Sequence, residues 1–266
     1  MKKLNTILLI TVLVSVFLGV LMPMTTVSAA TWDPTLGWDF QCHSNTHPHF
    51  GQLTDAQIAA ELQAVNDAFI AHGYPAPSHI AYPYGDYGKN ARTQARIKAV
   101  VSLYRLSGRV VWGDMETYPI SDWYVHKAAQ LKAKTGWRAI QGWVDDCITT
   151  NSLLHIFTHD VSAKPSSYGT TPEKLEQLLD YLKLKQDAGQ LQVMTMAEAY
   201  DYWSTATQGK ATVVVSFDDA NESDYLVVYP MFKAQSLKGT SYIVTSFIDQ
   251  PGSLTWAEIA QMRAGA

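Results

Sequence analysis

The sequence predicts an α/β fold, in which strands joined by helices form one sheet that closes into a barrel. Short apolar runs alternate along the chain with longer amphipathic stretches, and this pattern favours strand and helix units over a helical bundle or a β-sandwich. The chain has 266 residues, of which 47% are hydrophobic. This length suffices for one domain with a substantial core, so we expect one α/β domain and not two.

The first 30 residues have the layout of a secretory signal. Lys2 and Lys3 precede an apolar run from Ile7 to Leu21, and small residues follow at 27–30. The apolar run is shorter than the roughly 20 residues that cross a bilayer, although an uncleaved anchor is the alternative. We predict a signal peptide at 1–30, a mature domain at 31–266, a secreted or cell-surface location, and no membrane attachment after cleavage.

Three segments have the apolar spacing of helices. The first runs from Thr54, an N-cap candidate, to Ile70, and its apolar positions recur at helical intervals. The second covers 89–101. The third covers 173–186, where Thr171 and Pro172 provide a start signal and Gly189 a stop signal. We expect these helices to pack on the outside of the sheet.

Four apolar segments are predicted as strands: 77–84, 190–194, 213–217 and 240–247. The polar segment 202–210, with Ser, Thr, Gln and Gly, is interpreted as a linker. The net charge is −4 and no basic cluster is present, so nothing indicates nucleic-acid binding. Export would permit a disulfide between Cys42 and Cys147, and two buried free thiols are the equal alternative.

Two pairs of polar residues could together hold a metal ion. His43 and His47 are four positions apart after one apolar segment, and Asp218 and Asp219 end another. Three ligands from His43, His47 and Asp219 would leave positions open for water and substrate. Zinc suits these ligands best, while cobalt, nickel and iron are also compatible. Each pair alone has a plainer explanation, because exposed histidines are common and aspartates often cap helices.

The segments 37–47, 81–85, 157–161 and 213–219 resemble the second, third, fifth and first motifs of the NodB-like polysaccharide deacetylases, carbohydrate esterase family 4. In that family the aspartate pair opens the domain, whereas here it comes last. The resemblance therefore implies a circularly permuted, distorted seven-stranded (β/α) barrel. A truncated piece of a tandem deacetylase is the alternative.

The resemblance also implies an activity. It is the metal-dependent removal of N-acetyl groups from an N-acetylglucosamine-containing polysaccharide, with release of acetate. By resemblance, Asp219, His43 and His47 hold the metal, Asp218 is the general base and His159 the general acid. His155 competes with His159, because both have the same parity in one strand-like run.

The third motif implies further roles and also departs from the family pattern. A backbone N–H near Tyr84 would stabilise the oxyanion, and Pro83 would shape the pocket. The family's arginine, which orients the base, is replaced by Ala81, a form similar to the branch that acts on poly-N-acetylglucosamine. Asp122 and Trp123 match the fourth motif only poorly. The substrate polysaccharide is the one partner expected, and the protein is expected to be a monomer.

The missing arginine admits a second class of function. A non-catalytic carbohydrate-binding protein at the cell surface could keep the fold without turnover. The presence of Asp218 and His159 argues against it, because binding requires neither a base nor an acid.

Overall fold

The computed structural model describes residues 38–113 and 115–265. The predicted signal peptide at 1–30 lies outside the described residues. Among the residues that are described, none belongs to a helix long and apolar enough to cross a membrane.

The described residues form one sheet of nine strands. These are β1 Asp39–Cys42, β2 His79–Ala81, β3 Ser107–Arg109, β4 Met115–Glu116, β5 Ala129–Gln130, β6 Leu153–Thr158, β7 Gln192–Met194, β8 Thr212–Asp218 and β9 Thr240–Ile243. The main path runs β3-β2-β1-β9-β8-β6-β4, with β5 beside β6 and β7 beside β8. All pairs are parallel except β4 with β6. The predicted α/β class is confirmed.

The sheet curls until its two ends meet. Val110, just after β3, donates its N–H to the carbonyl oxygen of His126 (3.0 Å), and Ala128 donates to Trp112 (3.4 Å). The segment 126–128 leads directly into β5, which pairs with β6. The main path has the seven strands that the resemblance implies, and β5 and β7 lie beside it as strands of two and three residues.

Seven α-helices surround the sheet in the described part of the chain: α1 Asp55–Ala71, α2 Ala91–Val101, α3 Trp137–Thr150, α4 Pro172–Asp187, α5 Met196–Thr205, α6 Tyr229–Ala234 and α7 Trp256–Ala264. Thr54 caps α1 as predicted, and its side chain and that of Gln57 form a reciprocal capping box. The buried positions of α1 are Ile58, Leu62, Val65 and Phe69. The predicted helices at 54–70, 89–101 and 173–186 are confirmed within about two residues.

The predicted linker at 202–210 is partly wrong. Its first four residues belong to α5, which starts with a capping box formed by Thr195 and Glu198. Trp203 is buried, and its indole N–H donates to the Thr212 hydroxyl (3.0 Å). The helix therefore packs against the start of β8. The segment looked like a loop because its surface positions are Asp, Ser and Thr, which favour loops when their packing partners are ignored.

The first and last described elements are neighbours in the fold. β1 pairs with β9 along all four residues, and Trp38 donates its N–H to the carbonyl oxygen of Met262 in α7 (3.2 Å). This arrangement is what a circularly permuted domain requires, and the permutation itself stays a prediction. Cys42 and Cys147 are both buried free thiols, so the disulfide alternative is wrong for this structure.

Candidate active site

The side chains predicted to act together lie at one rim of the sheet. β1, β2, β6 and β8 are all parallel, so the residues that follow each strand emerge at the same edge. His43 follows β1, Tyr84 follows β2, His159 follows β6, and Asp219 follows β8. Ligand sites in parallel α/β proteins occur at this carboxyl edge.

His43, His47 and Asp219 form a compact cluster there. The two histidine Nε2 atoms are 3.2 Å apart, and Asp219 Oδ1 lies 3.4 Å from His43 Nε2 and 3.3 Å from His47 Nε2. His43 Nδ1 lies 2.8 Å from the carbonyl oxygen of Ala81. This contact fixes the proton on Nδ1, which leaves the Nε2 lone pair directed into the cluster.

The cluster fits a single metal ion. Nitrogen and oxygen ligands bound at ~2.0–2.1 Å to one tetrahedral ion lie about 3.3–3.4 Å apart, close to the three separations observed. Asp219 Oδ1 is buried and has no hydrogen-bond partner, as expected of an atom placed to bind a cation. The same three residues form a group able to hold a metal among the described residues.

The protonation preferences of His47 and Asp219 agree with this, whereas at His43 the carboxylates of Asp219 and Asp218 outweigh burial and raise the pKa while no ion is bound. Burial and the neighbouring His43 lower the pKa of His47 to about 4, so that its ring is neutral near pH 7. Burial alone would raise the pKa of Asp219, but the three surrounding histidines, His43 foremost, outweigh it and lower the pKa below its usual range. A neutral imidazole and an ionised carboxylate are the forms that bind metals.

Asp218, the predicted base, is held by an arginine that sequence reasoning missed. Arg109 Nη2 lies 2.6 Å from both carboxylate oxygens of Asp218, and both side chains are buried. The guanidinium also lies over the rings of Phe157 (4.3 Å) and Tyr242 (5.1 Å). The carboxylate is therefore fixed in one orientation beside the metal cluster.

Arg109 lies next to the position at which the third motif lacks its arginine. Ala81 and Arg109 are register partners on the neighbouring strands β2 and β3. Asp218 therefore has an arginine partner although position 81 is alanine, because Arg109 on the neighbouring strand supplies the positive charge. A signal existed in the sequence, since Arg109 directly precedes the apolar pair Val110 and Val111, and buried arginines are rare without a partner.

The structure separates the two candidates for the acid. His159 lines the cavity, and its Nε2 lies 3.8 Å from Asp219 Oδ2. His155 lies deeper, with its ring nitrogens 3.1 Å from His126 Nε2 and 2.8 Å from the Ser216 hydroxyl. Both nitrogens of His155 are thus engaged inside the barrel.

The third-motif turn forms another part of the same cavity. Pro83 is buried, whereas Tyr84 is exposed and has a left-handed backbone with φ of 58°. The Tyr84 ring lies 4.5 Å from that of His47. The predicted oxyanion role of a backbone N–H near Tyr84 stays a prediction. Strained backbone of this kind is concentrated at functional sites.

A cavity of roughly 270 Å³ joins these groups. Its lining residues are His43, His47, Tyr82, Tyr84, Val111, Gln130, Phe157, His159, Tyr168, Asp218 and Asp219. The predicted metal ligands, base and acid are therefore brought together around one space. Asp122 and Trp123 lie elsewhere: Asp122 caps a short turn and pairs with Lys98, and Trp123 packs against Tyr200.

Comparison with known families agrees with this geometry. Residues 35–100 match the model of a family described as polysaccharide deacetylase. The matched segment contains β1, both histidines of the cluster and the Tyr84 turn. This part of the chain is therefore similar to the polysaccharide deacetylase family.

Solved structures of deacetylases overlap this chain in part. IcaB from Ammonifex degensii is 27% identical over 42% of this chain and 48% of its own, with a TM-score of 0.37. The Streptococcus pyogenes deacetylase PplD, solved with acetate, is 22% identical over 41% and 50%, with a TM-score of 0.36. A de-N-acetylase from Aggregatibacter actinomycetemcomitans is 19% identical over 41% and 50%, with a TM-score of 0.35. The chain spans about half of the length of these structures. The comparison with curated proteins gave no match.

Besides Arg109, two cavity residues belong to no recognisable motif. Gln130 ends β5, and Tyr168 lies in the loop between β6 and α4. Neither position could be found from spacing, because β5 is two residues long and the loop has no periodic pattern. Their placement depends on the closure of the sheet.

Proposed function

We propose that this protein is a metal-dependent hydrolase that removes N-acetyl groups from an N-acetylglucosamine-containing polysaccharide and releases acetate. The observation that carries the proposal is the single cavity in which the His43, His47 and Asp219 cluster meets Asp218 and His159. The match of residues 35–100 to the polysaccharide deacetylase family model supports the same reaction class.

The cluster's ligand types suit zinc, although related divalent ions are compatible. When bound by His43, His47 and Asp219, the ion would supply a Lewis acid that polarises the acetamide carbonyl and favours deprotonation of water. The protein's own part is to hold the three donor atoms at nearly the spacing that such an ion needs.

Asp218 is positioned to accept the proton of the attacking water. The ion pair with Arg109 keeps its carboxylate at the end of β8, adjacent in sequence to the metal ligand Asp219. The two neighbouring carboxylates thus have different tasks because one faces Arg109 and the other faces the histidines. General-base catalysis of this kind contributes typically 10²–10⁴-fold to the rate.

His159 is positioned to donate a proton to the departing nitrogen. An amide nitrogen leaves poorly unless it is protonated, and histidine is the side chain best able to carry that proton near neutral pH. The ring of His159 borders the cavity close to Asp219, while its Nδ1 is buried without a hydrogen-bond partner. In a protein that only binds carbohydrate, neither this histidine nor the buried base would have a task.

The amino-terminal lysines and apolar run support export, so we place the protein outside the cytoplasm or at the cell surface. The expected form is a monomer, since every group of the proposed site comes from one chain.

Acetate release tests the proposal. The mature protein, residues 31–266, would be incubated with N-acetylglucosamine oligomers before chelation, after chelation, and after zinc is restored. Release that stops with the chelator and returns with zinc is expected. Bound stoichiometric zinc without any release would instead favour the non-catalytic binding protein.

A further inference from the structure

The loop that joins His43 to His47 is bound by a carboxylate on α1. Glu61 Oε2 accepts hydrogen bonds from the backbone N–H groups of Asn45 (2.9 Å) and Thr46 (2.8 Å), and Glu61 Oε1 accepts one from the Thr46 hydroxyl (2.6 Å). Hydrogen bonds to an ionised acceptor are roughly twice as strong as those between neutral groups. Three donors of the loop therefore converge on one side chain of a neighbouring helix.

The backbone of this loop has a conformation that gathers N–H groups on one side. Ser44 and His47 are both left-handed, with φ of 68° and 60°, although neither is glycine. Successive N–H groups in turns with left-handed residues form concave nests that bind anions, and here the anion is the Glu61 carboxylate. A left-handed backbone at such residues is strained and persists only where the surrounding structure holds it.

The carbonyl groups of the loop are held by a different element, the segment after β9. The N–H groups of Thr245 and Ser246 donate to the carbonyl oxygens of Ser44 (3.3 Å) and Asn45 (3.0 Å). The Thr245 hydroxyl also donates to Asn45 Oδ1 (2.8 Å). The segment after β9 therefore binds the carbonyl groups, and Glu61 binds the N–H groups that these contacts leave.

Glu61 is carried by a helix that is fixed on the barrel. Ile58, Leu62 and Val65 of α1 are fully buried, and the capping box at Thr54 fixes the start of the helix. A site supported by a packed helix is held more precisely than one supported by loops alone. The carboxylate of Glu61 is thus a rigid support for the loop.

The two histidine ligands are oriented in different ways. His43 Nδ1 is held by the Ala81 carbonyl oxygen at 2.8 Å. The polar contacts of the His47 ring, with His43 and Asp219, both run through Nε2, and among the described residues no hydrogen bond to its Nδ1 is present. The ring otherwise packs against that of Tyr84 at 4.5 Å. The position of His47 therefore depends strongly on the backbone that carries it.

We propose that Glu61 is a positioning residue of the metal site. By binding the N–H groups of the loop, it keeps His47 where its Nε2 lies 3.2 Å from His43 Nε2 and 3.3 Å from Asp219 Oδ1. This inference rests on the proposed metal-dependent function and assigns to Glu61 a role that no sequence motif gives it. Groups that orient metal ligands typically contribute 10–100-fold to metal affinity.

Zinc affinity tests the proposal without use of the enzymatic reaction. The zinc Kd of the mature protein would be measured by competition with a chromophoric chelator in wild type, Glu61→Ala and Glu61→Gln. We expect the Kd to rise about 10–100-fold in Glu61→Ala. Glu61→Gln should raise it by less, because the amide oxygen still accepts hydrogen bonds but without a charge.

Asp67→Ala is the matched control for these variants. Asp67 is an exposed carboxylate on the same helix, and it accepts a hydrogen bond from the Gln63 side chain. Its removal should leave the zinc Kd unchanged. A wild-type Kd in Glu61→Ala and Glu61→Gln would overturn the proposal, and if Glu61→Ala does not fold, a wild-type Kd in Glu61→Gln alone overturns it.

Thermal unfolding separates positioning from a general loss of stability. The Tm of each protein would be measured metal-free and at one fixed zinc concentration. Because a more weakly bound ion stabilises the folded state less, the rise in Tm on addition of zinc should be smaller in Glu61→Ala than in wild type. A lower metal-free Tm with an unchanged rise on zinc addition would show that Glu61 supports only the fold.

Acetate release at two zinc concentrations distinguishes this proposal from the proposed function. Glu61→Ala should lose activity at limiting zinc and recover most of it at saturating zinc, since the bound ion itself then holds His47. If wild type binds zinc but releases no acetate, the proposed function fails, and the zinc Kd still decides the role of Glu61. If wild type releases acetate and both Glu61 variants keep its zinc Kd, the role of Glu61 is wrong and the proposed function stands. Wild type that binds no zinc would overturn both.

Discussion

Arg109 and Asp218 form an ion pair inside the barrel, where both side chains are buried. Such a pair is costly to break because removal of one partner leaves the other charged and buried. The guanidinium is also enclosed by the rings of Phe157 and Tyr242. The pair therefore links the stability of the barrel to the orientation of the proposed base.

Replacement of Arg109 tests that link. We expect Arg109→Ala to lower the free energy of unfolding by about 3–5 kcal/mol and to abolish acetate release. The double variant Arg109→Ala with Ala81→Arg returns an arginine to the register partner on β2 and should recover part of the activity. Chemical denaturation and acetate release measure the two effects. A double variant as stable as wild type yet fully inactive would show that the position of the arginine, and not its charge, matters.

The roles of the two adjacent aspartates can be separated by metal content. His43→Ala and Asp219→Ala should lose both zinc and turnover, because each removes one of three ligands. Asp218→Asn should keep stoichiometric zinc and lose turnover by about 10²–10⁴-fold. His72→Ala, an exposed histidine at the end of α1, is the matched control. Zinc content by atomic absorption would refute these assignments if Asp218→Asn lost the metal as completely as the ligand variants.

At the scale of single elements, the turn after β2 positions several groups at once. Gly85 has φ of +65°, and an added Cβ would lie 2.4 Å from a Val111 methyl group. Position 85 therefore requires glycine for two reasons, because its backbone is left-handed and because there is no room for a Cβ atom. Gly73 has φ of +78° with no atom near its Cβ position, so at this position only the left-handed backbone favours glycine.

These two glycines make a matched pair. Gly73→Ala should lower the free energy of unfolding by about 1–2 kcal/mol, the cost of a left-handed backbone for an alanine. Gly85→Ala should cost more and should also reduce acetate release, since the clash displaces Tyr84 and Trp112. Thermal unfolding and activity are measured for both. Equal destabilisation with full activity in both variants would contradict the close packing described here.

Sequence reasoning found elements whose pattern is local and missed those that depend on closure of the sheet. The stripe Ile58, Leu62, Val65 and Phe69 identified α1, and the strand that ends at Asp218 was identified by its apolar run. Arg109 was missed because its partner lies 109 residues away in the sequence. The cavity residues Gln130 and Tyr168 were missed for the same reason, since their neighbours are set by long-range pairing.

At the scale of the whole molecule, buried neutral histidines make stability depend on pH. Burial, with His126 and Arg105 nearby, lowers the pKa of His79 from 6.5 to about 3. The unfolded chain therefore binds a proton below pH 6.5 that the folded protein does not, and stability falls as the pH decreases through this range. His79 is neither a member of the cluster nor a cavity residue, and its Nδ1 lies 2.9 Å from the Ser107 hydroxyl, which makes its contribution separable.

Comparison of wild type with His79→Asn isolates that contribution. Between about pH 6.5 and pH 4 the free energy of unfolding of wild type should fall more steeply than that of the variant, by about 1.4 kcal/mol per pH unit. The difference arises because asparagine takes up no proton on unfolding. Urea denaturation at several pH values measures both slopes, and parallel slopes would show that His79 is protonated in the folded protein.

The order of the motifs is also a property of the whole chain. Trp38 and Met262 share a backbone hydrogen bond, so a short linker can join residue 265 to residue 38 without moving either. New ends can be placed within 206–210, between α5 and β8, where the backbone has no regular structure. The resulting chain would begin with β8 and would present the aspartate pair first. Rearrangements of this kind are tolerated where the ends are close and the new break is exposed.

We expect this rearranged protein to fold, bind zinc and release acetate at rates comparable to the original chain. Every contact of the cluster and of the Arg109 and Asp218 pair is preserved by the rearrangement, because no strand changes its neighbours. If the chain is a permuted domain, both the original protein and the rearranged protein should be monomers. If the original chain were a piece of a tandem protein, it would assemble through exchange between copies, and its mass by light scattering would exceed that of one chain. Light scattering and acetate release on both proteins therefore decide between a permuted domain and a tandem fragment.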